Sequence, residues 1–257
     1  VVVVGAGPAG LEAARVAAER GHSVTLYEKK GSVGGLLEFA NNVKGPHENL
    51  SVLRSYFERQ MEVLGVNVML NTEATADIIA EASPDIVIAA TGGVRDTLGL
   101  SDTAGTKVVG IDDFMMADIA EEVVIVGSNV QAIDAAMYLL AQGKHVQVVT
   151  PNAASAIGAG HSFWVKTFTQ PNMKALGVRF WPEATVTAVN DGSVTVKTAT
   201  GIEQEIACGT VVEALDCLPN DSLSTGLSCE VVTVGDAARP FNIGEAICSG
   251  NAAARAI

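Results

Sequence analysis

Residues 1–30 read VVVVGAGPAGLEAARVAAERGHSVTLYEKK. Residues 1–4 are a β-branched apolar run, the pattern of a short strand buried on both faces of a parallel sheet. Gly5-Ala6-Gly7-Pro8-Ala9-Gly10 follows with G-x-G-x-x-G spacing. Residues 11–20 form an Ala- and Glu-rich amphipathic helix stopped by Gly21, and residues 23–27 are a second short strand ending at Glu28. Strand, glycine turn, helix, strand and terminal acid, in that order, predict a dinucleotide-binding βαβ unit.

Each part of this unit has a physical task. Gly5 permits the tight turn off the strand, Gly7 lets a pyrophosphate approach a backbone without Cβ, and Gly10 allows close packing of helix on strand. Free N–H groups and the positive end of the helix dipole face the phosphates. Glu28, with Lys29 beside it, stands where a carboxylate accepts from both ribose hydroxyls of an adenosine. A 2′-phosphate there would put two negative charges side by side. The turn is therefore expected to hold FAD, NAD or a bare adenine nucleotide rather than NADP.

The chain of 257 residues is long enough for two packed domains, and its Ala, Val and Gly content with few aromatics suits a tightly packed α/β protein. A formal net charge of −13 argues against nucleic-acid and anionic-membrane partners, which need basic patches. No stretch reads as a membrane span or a signal peptide. Cys208, Cys217, Cys229 and Cys248 are scattered without a C-x-x-C pair, which speaks against a redox disulfide or a self-contained metal site. Reduced thiols and a cytoplasmic location are expected.

Further along, Gly34-Gly35 marks a second close backbone approach, residues 50–64 a helix, 66–70 a strand, and 85–90 a buried strand closing on Thr91-Gly92-Gly93. Residues 94–118 are mixed and Gly-interrupted, as in a connection between domains. The opening theme then returns as EEVVIVGSNVQAIDAAMYLLAQGKHVQVVTP, predicting a second dinucleotide-type domain. VTAVNDGSVTVKTATGIEQEIACGTVVEAL reads as a meander of short strands with Asp-Gly and Thr-Gly turns. The end, EVVTVGDAARPFNIGEAICSGNAAARAI, gives a strand, Gly235-Asp236, and an Ala-rich helix beginning near Asn242.

Together these landmarks resemble flavoproteins with two dinucleotide-binding domains. The likeness is strongest to the C-terminal half of the 2,4-dienoyl-CoA reductase and trimethylamine dehydrogenase group, which is old-yellow-enzyme-like. It is carried by GGLLEFANNVKGPHENL, RSYFERQMEVLGVNVMLNTEATAD, PDIVIAATGGV and HSFWVKTFTQPNMKALGVRFWPEATVTAV, and it covers essentially the whole chain. The resemblance implies an N-terminal barrel that precedes these residues and carries FMN, a 4Fe–4S cluster and the substrate contacts. It also implies that residues 5–10 wrap the pyrophosphate, Glu28 holds the ribose, and Gly35 and Leu36 lie along the dinucleotide. Ala74 would offer its backbone to the adenine edge, Thr91 and Gly92 would pass close to the pyrophosphate, and Gly235 and Asp236 would meet the ribityl chain of FAD. The helix from Asn242 would point its N-terminus at the isoalloxazine.

The second turn, Gly127-Ser128-Asn129-Val130-Gln131-Ala132, keeps only the first glycine. Asn129 stands where the backbone should approach a phosphate; Asn tolerates positive φ, so the turn is expected to survive, with a side chain that crowds the pyrophosphate. Thr150-Pro151 ends the next strand with neither a ribose acid nor an Arg for a 2′-phosphate. Asp134 matches an acidic helix position of the class, as a functional or a structural acid. Two readings follow. Either NADH or NADPH still binds here through Gly127 and passes hydride to FAD for enone or acyl-CoA reduction, or the site has decayed. In the decayed case oxidative demethylation would send electrons to an electron-transfer flavoprotein, with FAD or only structural ADP in the first site. A third reading is a binding module without chemistry of its own. No catalytic dyad is evident: His47 and His145 read as loop and surface residues, and His161 and Trp164 as a capping residue and a core residue rather than as lining of an interdomain cleft.

The expected architecture is thus α/β, with two Rossmann-like domains of the three-layer ββα type, the second inserted in the first. The first would comprise residues 1–95 plus 225–257, the second residues 96–224, in a chain that acts as a homo-oligomer.

Overall fold

The computed structural model describes residues 1–45, 48–220, 222–223 and 227–257, without the side chain of Trp164. The readings made for His47 and Trp164 lie outside these described residues, as does the domain boundary expected at 224/225.

In chain order the first unit holds β1 (Val2–Val4), α1 (Pro8–Glu19), β2 (Thr25–Tyr27), α2 (Leu37–Lys44), α3 (Leu50–Val63), β3 (Asn67–Met69), α4 (Ala76–Ala82), β4 (Ile86–Ala89) and β5 (Val94–Arg95). The second holds β6 (Lys107–Gly110), β7 (Glu122–Val126), α5 (Val130–Ala141), β8 (His145–Val149), α6 (Phe163–Ala175), β9 (Arg179–Trp181), β10 (Ala184–Asn190), β11 (Ser193–Thr198), β12 (Glu203–Ala207) and β13 (Thr210–Glu213). The chain then returns to the first unit with β14 (Cys217–Leu218), β15 (Glu230–Thr233) and α7 (Ile243–Ala256).

The compact units are Val1–Arg95 with Cys217–Ile257, and Asp96–Asp216. The return therefore falls at Cys217, earlier than the sequence pattern suggested. The cause is a short antiparallel pairing of β14 with β5, Cys217 opposite Arg95 and Leu218 opposite Val94, which neither strand's own residues announce. The segment 94–118, read as a connection, likewise supplies a real strand, because β6 pairs in parallel with β13 along Lys107–Gly110.

The first unit is built on a parallel five-stranded sheet in the order β15-β4-β1-β2-β3. Alternation along the strands sorts its side chains, since successive residues point to opposite faces. Val3, Leu26 and Ile88 face α1, α3 and α7, while Val2, Val4 and Val87 face Ile79 of α4 together with Leu223, Leu227 and Cys229. Burial on both faces is why β1 is all valine.

The second unit repeats the plan with a parallel sheet ordered β6-β13-β7-β8-β9. The antiparallel meander β10-β11-β12 lies on one face and shares a core with it through Val124, Val126, Val149, Val194, Val196 and Ile206. Helix α5 packs on β7 and β8 with Ile133, Ala136 and Leu139 buried. This is the three-layer ββα arrangement. In the first unit α4 and the segment before β15 occupy the layer that the meander fills here. Among the described residues no helix is long and apolar enough to cross a membrane.

Candidate functional site

In each unit the chain leaves the strand before the glycine turn, β1 or β7, toward one side and later returns to its other side. The reversal falls between β1 and β4 in the first unit and between β7 and β13 in the second. Ligands of open α/β sheets bind in the crevice outside the carboxyl ends of the strands at such a switch point. Gly5 follows β1, Glu28 follows β2, Thr91 and Gly92 follow β4, and Gly235 and Asp236 follow β15, so the topology gathers residues far apart in sequence at one edge.

The three glycines of the first turn have separable causes. Gly5 has φ +98°, and a Cβ there would collide with the carbonyl of Ala90. A Cβ on Gly10 would fall inside the carbonyl oxygen of Gly5. These two are demanded by the protein's own backbone. Gly7 is different: it is the N-cap of α1 with φ −75° and ψ −179°, a conformation open to any residue, and nothing lies within 4 Å of a Cβ placed on it. No side chain caps α1, and Pro8 occupies its first turn. What Gly7 keeps free is space in front of a helix N-terminus, the place a phosphate occupies.

Glu28 is buried and its two oxygens are held apart by backbone. The Ala6 N–H donates to Oε2 at 2.7 Å and the Lys30 N–H to Oε1 at 2.8 Å. A carboxylate offers about four acceptor positions, so two remain for a diol. Lys29 is exposed, and only its neighbour's backbone joins this clamp. Gly34 donates to the Ala6 carbonyl at 2.8 Å, which lays Gly35 directly over Gly7, with Leu36 starting α2 as its N-cap. The hydroxyl of Thr91 is buried with no hydrogen-bond partner among the described residues. Gly92 has φ +76° and open space where a Cβ would be. An orphaned buried hydroxyl next to Gly92, at the same sheet edge as the open turn at Gly7, fits a bound pyrophosphate. Ala74 packs by its side chain against Val2, Val4 and Ile79.

Gly235 has φ +61° and takes the Ser249 hydroxyl as acceptor for its N–H at 2.9 Å. Asp236 accepts from the Phe241 N–H at 3.3 Å; burial pushes its carboxyl up, against the Phe241 bond and the Arg95 charge. Asn242 caps α7 by accepting the Glu245 N–H at 2.9 Å.

Sequence reading missed Glu12. It is buried in α1 and accepts from Arg15 at 2.8 Å through both its oxygens and from Asn251 of α7 at 2.7 Å. Burial raises its carboxyl, but the bonds to Arg15 and Asn251 prevail and hold it below the ordinary range. The available signal was an acid seven residues after the first glycine of each turn, Glu12 and Asp134.

The second unit copies the first bond for bond. Gly5 N–H to Tyr27 O (2.8 Å) corresponds to Gly127 N–H to Val149 O (2.9 Å), and Ala90 N–H to Val4 O (2.8 Å) to Ala214 N–H to Val126 O (2.8 Å). Gly34 N–H to Ala6 O (2.8 Å) corresponds to Gly158 N–H to Ser128 O (2.6 Å). Gly127, like Gly5, is glycine because a Cβ would strike a carbonyl, here that of Ala214. Asn129 takes the place of Gly7 with φ −72° and ψ −179°. Its backbone is extended, not left-handed, so the positive φ expected for it does not occur. Thr150, fully buried, stands where Glu28 stands, and accepts the Asn152 N–H at 3.2 Å.

The remaining polar residues divide into surface and interior. His145 is exposed with Nδ1 2.7 Å from Glu122 Oε1, and that carboxylate raises its pKa. His161 is not a cap: its Nε2 is buried 3.3 Å from Asp134 Oδ1, at ion-pair distance but not aligned as a hydrogen bond. No disulfide joins any of the four cysteines, and burial pushes the Cys208 thiol up to about 11. Among the described residues no group of three or more His, Cys, Asp or Glu could hold a metal ion.

Two Rossmann-like units, one with open space at Gly7 and a buried Glu28 carboxylate held by backbone amides, have the architecture of a flavoprotein-like oxidoreductase. The chain belongs to the pyridine nucleotide-disulphide oxidoreductase family, whose pattern matches residues 1–236. It is 39% identical over 155 residues to NADH oxidase of Thermoanaerobacter brockii, covering 58% of this chain and 24% of that protein. It is 39% identical over 165 residues to a probable N-methylproline demethylase of Rhizobium meliloti, covering 61% and 23%. A solved 2-naphthoyl-CoA reductase in complex with 2-naphthoyl-CoA superimposes with TM-score 0.83 at 32% identity, over 97% of this chain and 38% of that one. Reductases and demethylases among the relatives agree with the resemblance to the dienoyl-CoA reductase and trimethylamine dehydrogenase group. The chain spans about a quarter of the length of each of these two curated relatives.

Proposed function

We propose that these residues form the dinucleotide-binding module of a flavin-dependent oxidoreductase, with FAD or ADP in the first unit. The observation that carries this is the contrast between equivalent positions: Gly7 and Glu28 in the first unit, Asn129 and Thr150 in the second. An open turn with a sugar acid suits an adenosine diphosphate, and a turn without either does not. In this reading Gly7, Ala9 and the start of α1 bind the diphosphate, Glu28 orients the ribose, and Thr91 and Gly92 line the opposite wall. Gly235, Asp236 and the capped N-terminus of α7 face the ribityl and ring end. FAD, when bound, supplies the electron-carrying chemistry; the chain's residues hold it, exclude water and set its electrostatic surroundings.

For the whole protein the proposal is an oxidative demethylase or amine dehydrogenase that passes electrons to an electron-transfer flavoprotein. An N-terminal barrel with FMN and a 4Fe–4S cluster would contact the substrate. Homo-oligomeric assembly and a cytoplasmic setting belong to the same proposal. The missing sugar acid at Thr150 supports this direction of flow, since a nicotinamide donor would need a hold on its ribose. A second reading, NAD(P)H-dependent reduction of an enone or unsaturated acyl-CoA through FAD, draws on the likeness to the naphthoyl-CoA reductase. A purely structural ADP in the first unit is the third.

The test is the absorbance spectrum of the purified protein before and after denaturation, with the released nucleotide identified. Release of FAD or ADP is expected, and release of neither refutes the assignment. Bleaching of the flavin by methylated amines favours the demethylase direction, and bleaching by NADH or NADPH the reductase.

A further inference from the structure

Asn129 does more than occupy a glycine's place. Its Oδ1 accepts the Ala132 N–H at 2.9 Å, consuming a donor that the N-terminus of α5 would offer to an anion. Its Nδ2 donates to the carbonyls of Ala214 and Leu215 at 3.0 Å each and reaches Asp216 Oδ1 at 3.3 Å. Acceptors on one side and a backbone donor on the other leave a single orientation for the amide. Ala214 and Leu215 leave the end of β13 and Asn129 follows β7, so the carboxamide spans the switch-point crevice from wall to wall. In the first unit a Cβ on Gly7 would meet nothing within 4 Å, and the Thr91 hydroxyl is unpartnered among the described residues.

We propose that Asn129 is the specificity-determining residue of the second unit, a built-in carboxamide clasp that takes the place of a pyrophosphate and shuts out nicotinamide dinucleotides. A pyrophosphate entering there would break the bonds to Ala132, Ala214 and Leu215, and would set its oxygens against two uncovered carbonyls and the Asp216 carboxylate. Both losses oppose binding. The inference deepens the proposed function and rests on its reading of the first unit as the nucleotide-holding one. The clasp outweighs the missing sugar acid at Thr150, because it fills the phosphate position itself.

The test compares wild type with Asn129→Gly, Asn129→Asp and Thr150→Asp in fluorescence titrations with NADH and NADPH on FAD-loaded protein. Asn129→Gly is a mild change, since glycine is tolerated at an N-cap and Gly7 already holds the same φ and ψ. It is expected to bind NADH at least about tenfold more tightly than wild type. Wild type, Asn129→Asp, which puts a negative charge in the crevice, and Thr150→Asp, which adds an acid but keeps the clasp, are expected not to saturate at micromolar levels. Saturable micromolar binding by wild type, no gain in Asn129→Gly, or an equal gain in either aspartate variant overturns the proposal. Repeating the NADH and NADPH titrations without FAD in a Gly7→Val background, which closes the first turn, reads the second unit alone. Absence of FAD or ADP from the first unit would sink the proposed function while leaving that second series to decide the clasp.

Discussion

Replacing Glu28 with Gln tests the first cradle at its most constrained point. The side chain is 7% exposed, and each oxygen already takes a backbone N–H, from Ala6 at 2.7 Å and Lys30 at 2.8 Å. Gln has a single acceptor oxygen, so either orientation sets an NH2 group against one of those amides. An orphaned buried donor costs about 1–3 kcal/mol, which a urea midpoint will register. The ligand suffers separately. The diol loses at least one charge-assisted hydrogen bond of about 1.5–3 kcal/mol, which corresponds to about ten- to hundredfold weaker binding. Calorimetric titration with ADP and with its 2′-phosphorylated analogue distinguishes the two effects. ADP is expected to weaken by that factor, while the analogue holds or improves because a negative charge beside its 2′-phosphate has gone. Unchanged ADP affinity, or parallel weakening of both ligands, would refute the role assigned to the carboxylate.

The glycines of the same turn should separate folding from binding. Gly7→Val is expected to abolish nucleotide retention at a smaller stability cost than Gly10→Ala, since its Cβ meets no protein atom within 4 Å. Gly10→Ala, whose methyl would enter the Gly5 carbonyl, is expected to lose about 1–3 kcal/mol or more of stability by denaturant titration. Glu12 has its carboxyl held down in the fold, so its contribution is full above the unfolded pKa and disappears as pH falls through the folded one. Chemical denaturation from neutral pH to about pH 3 should therefore show a loss of stability that is smaller in Glu12→Gln. Asp236 is shifted the other way, so its ionisation erodes stability as pH rises. Asp236→Asn keeps an acceptor for the Phe241 N–H and is expected to be at least as stable at neutral pH, a result that a lower Tm would contradict.

Much of the first cradle was legible because its logic is local. Gly5, Gly7 and Gly10 sit within one turn of chain, and Glu28 ends the strand that pairs directly with β1, Tyr27 opposite Val4. Positions whose partners come from distant elements were read less well. The second turn could be seen to be degenerate, but positive φ was the wrong expectation for Asn129, because helix capping in an extended conformation dominated. Glu12 went unnoticed because its partner Asn251 is 239 residues away. His161 looked like a cap until the fold buried it against Asp134.

By itself the sequence determined two βαβ units, their glycine turns, and the presence of an acid, Glu28, at the end of the second strand in one and its absence at Thr150 in the other. These follow from period, backbone freedom and charge within about thirty consecutive residues. Only the tertiary structure decided that Cys217 and Leu218 return to pair beside Arg95, and that Gly7 faces open space while Gly5 and Gly10 face carbonyls. It alone joined the Asn129 amide to Ala214 and Leu215, 85 and 86 residues downstream. Strand order at a switch point brings remote chain segments to one edge, and whether such an edge is a cradle or a closed seam depends on which side chain crosses it.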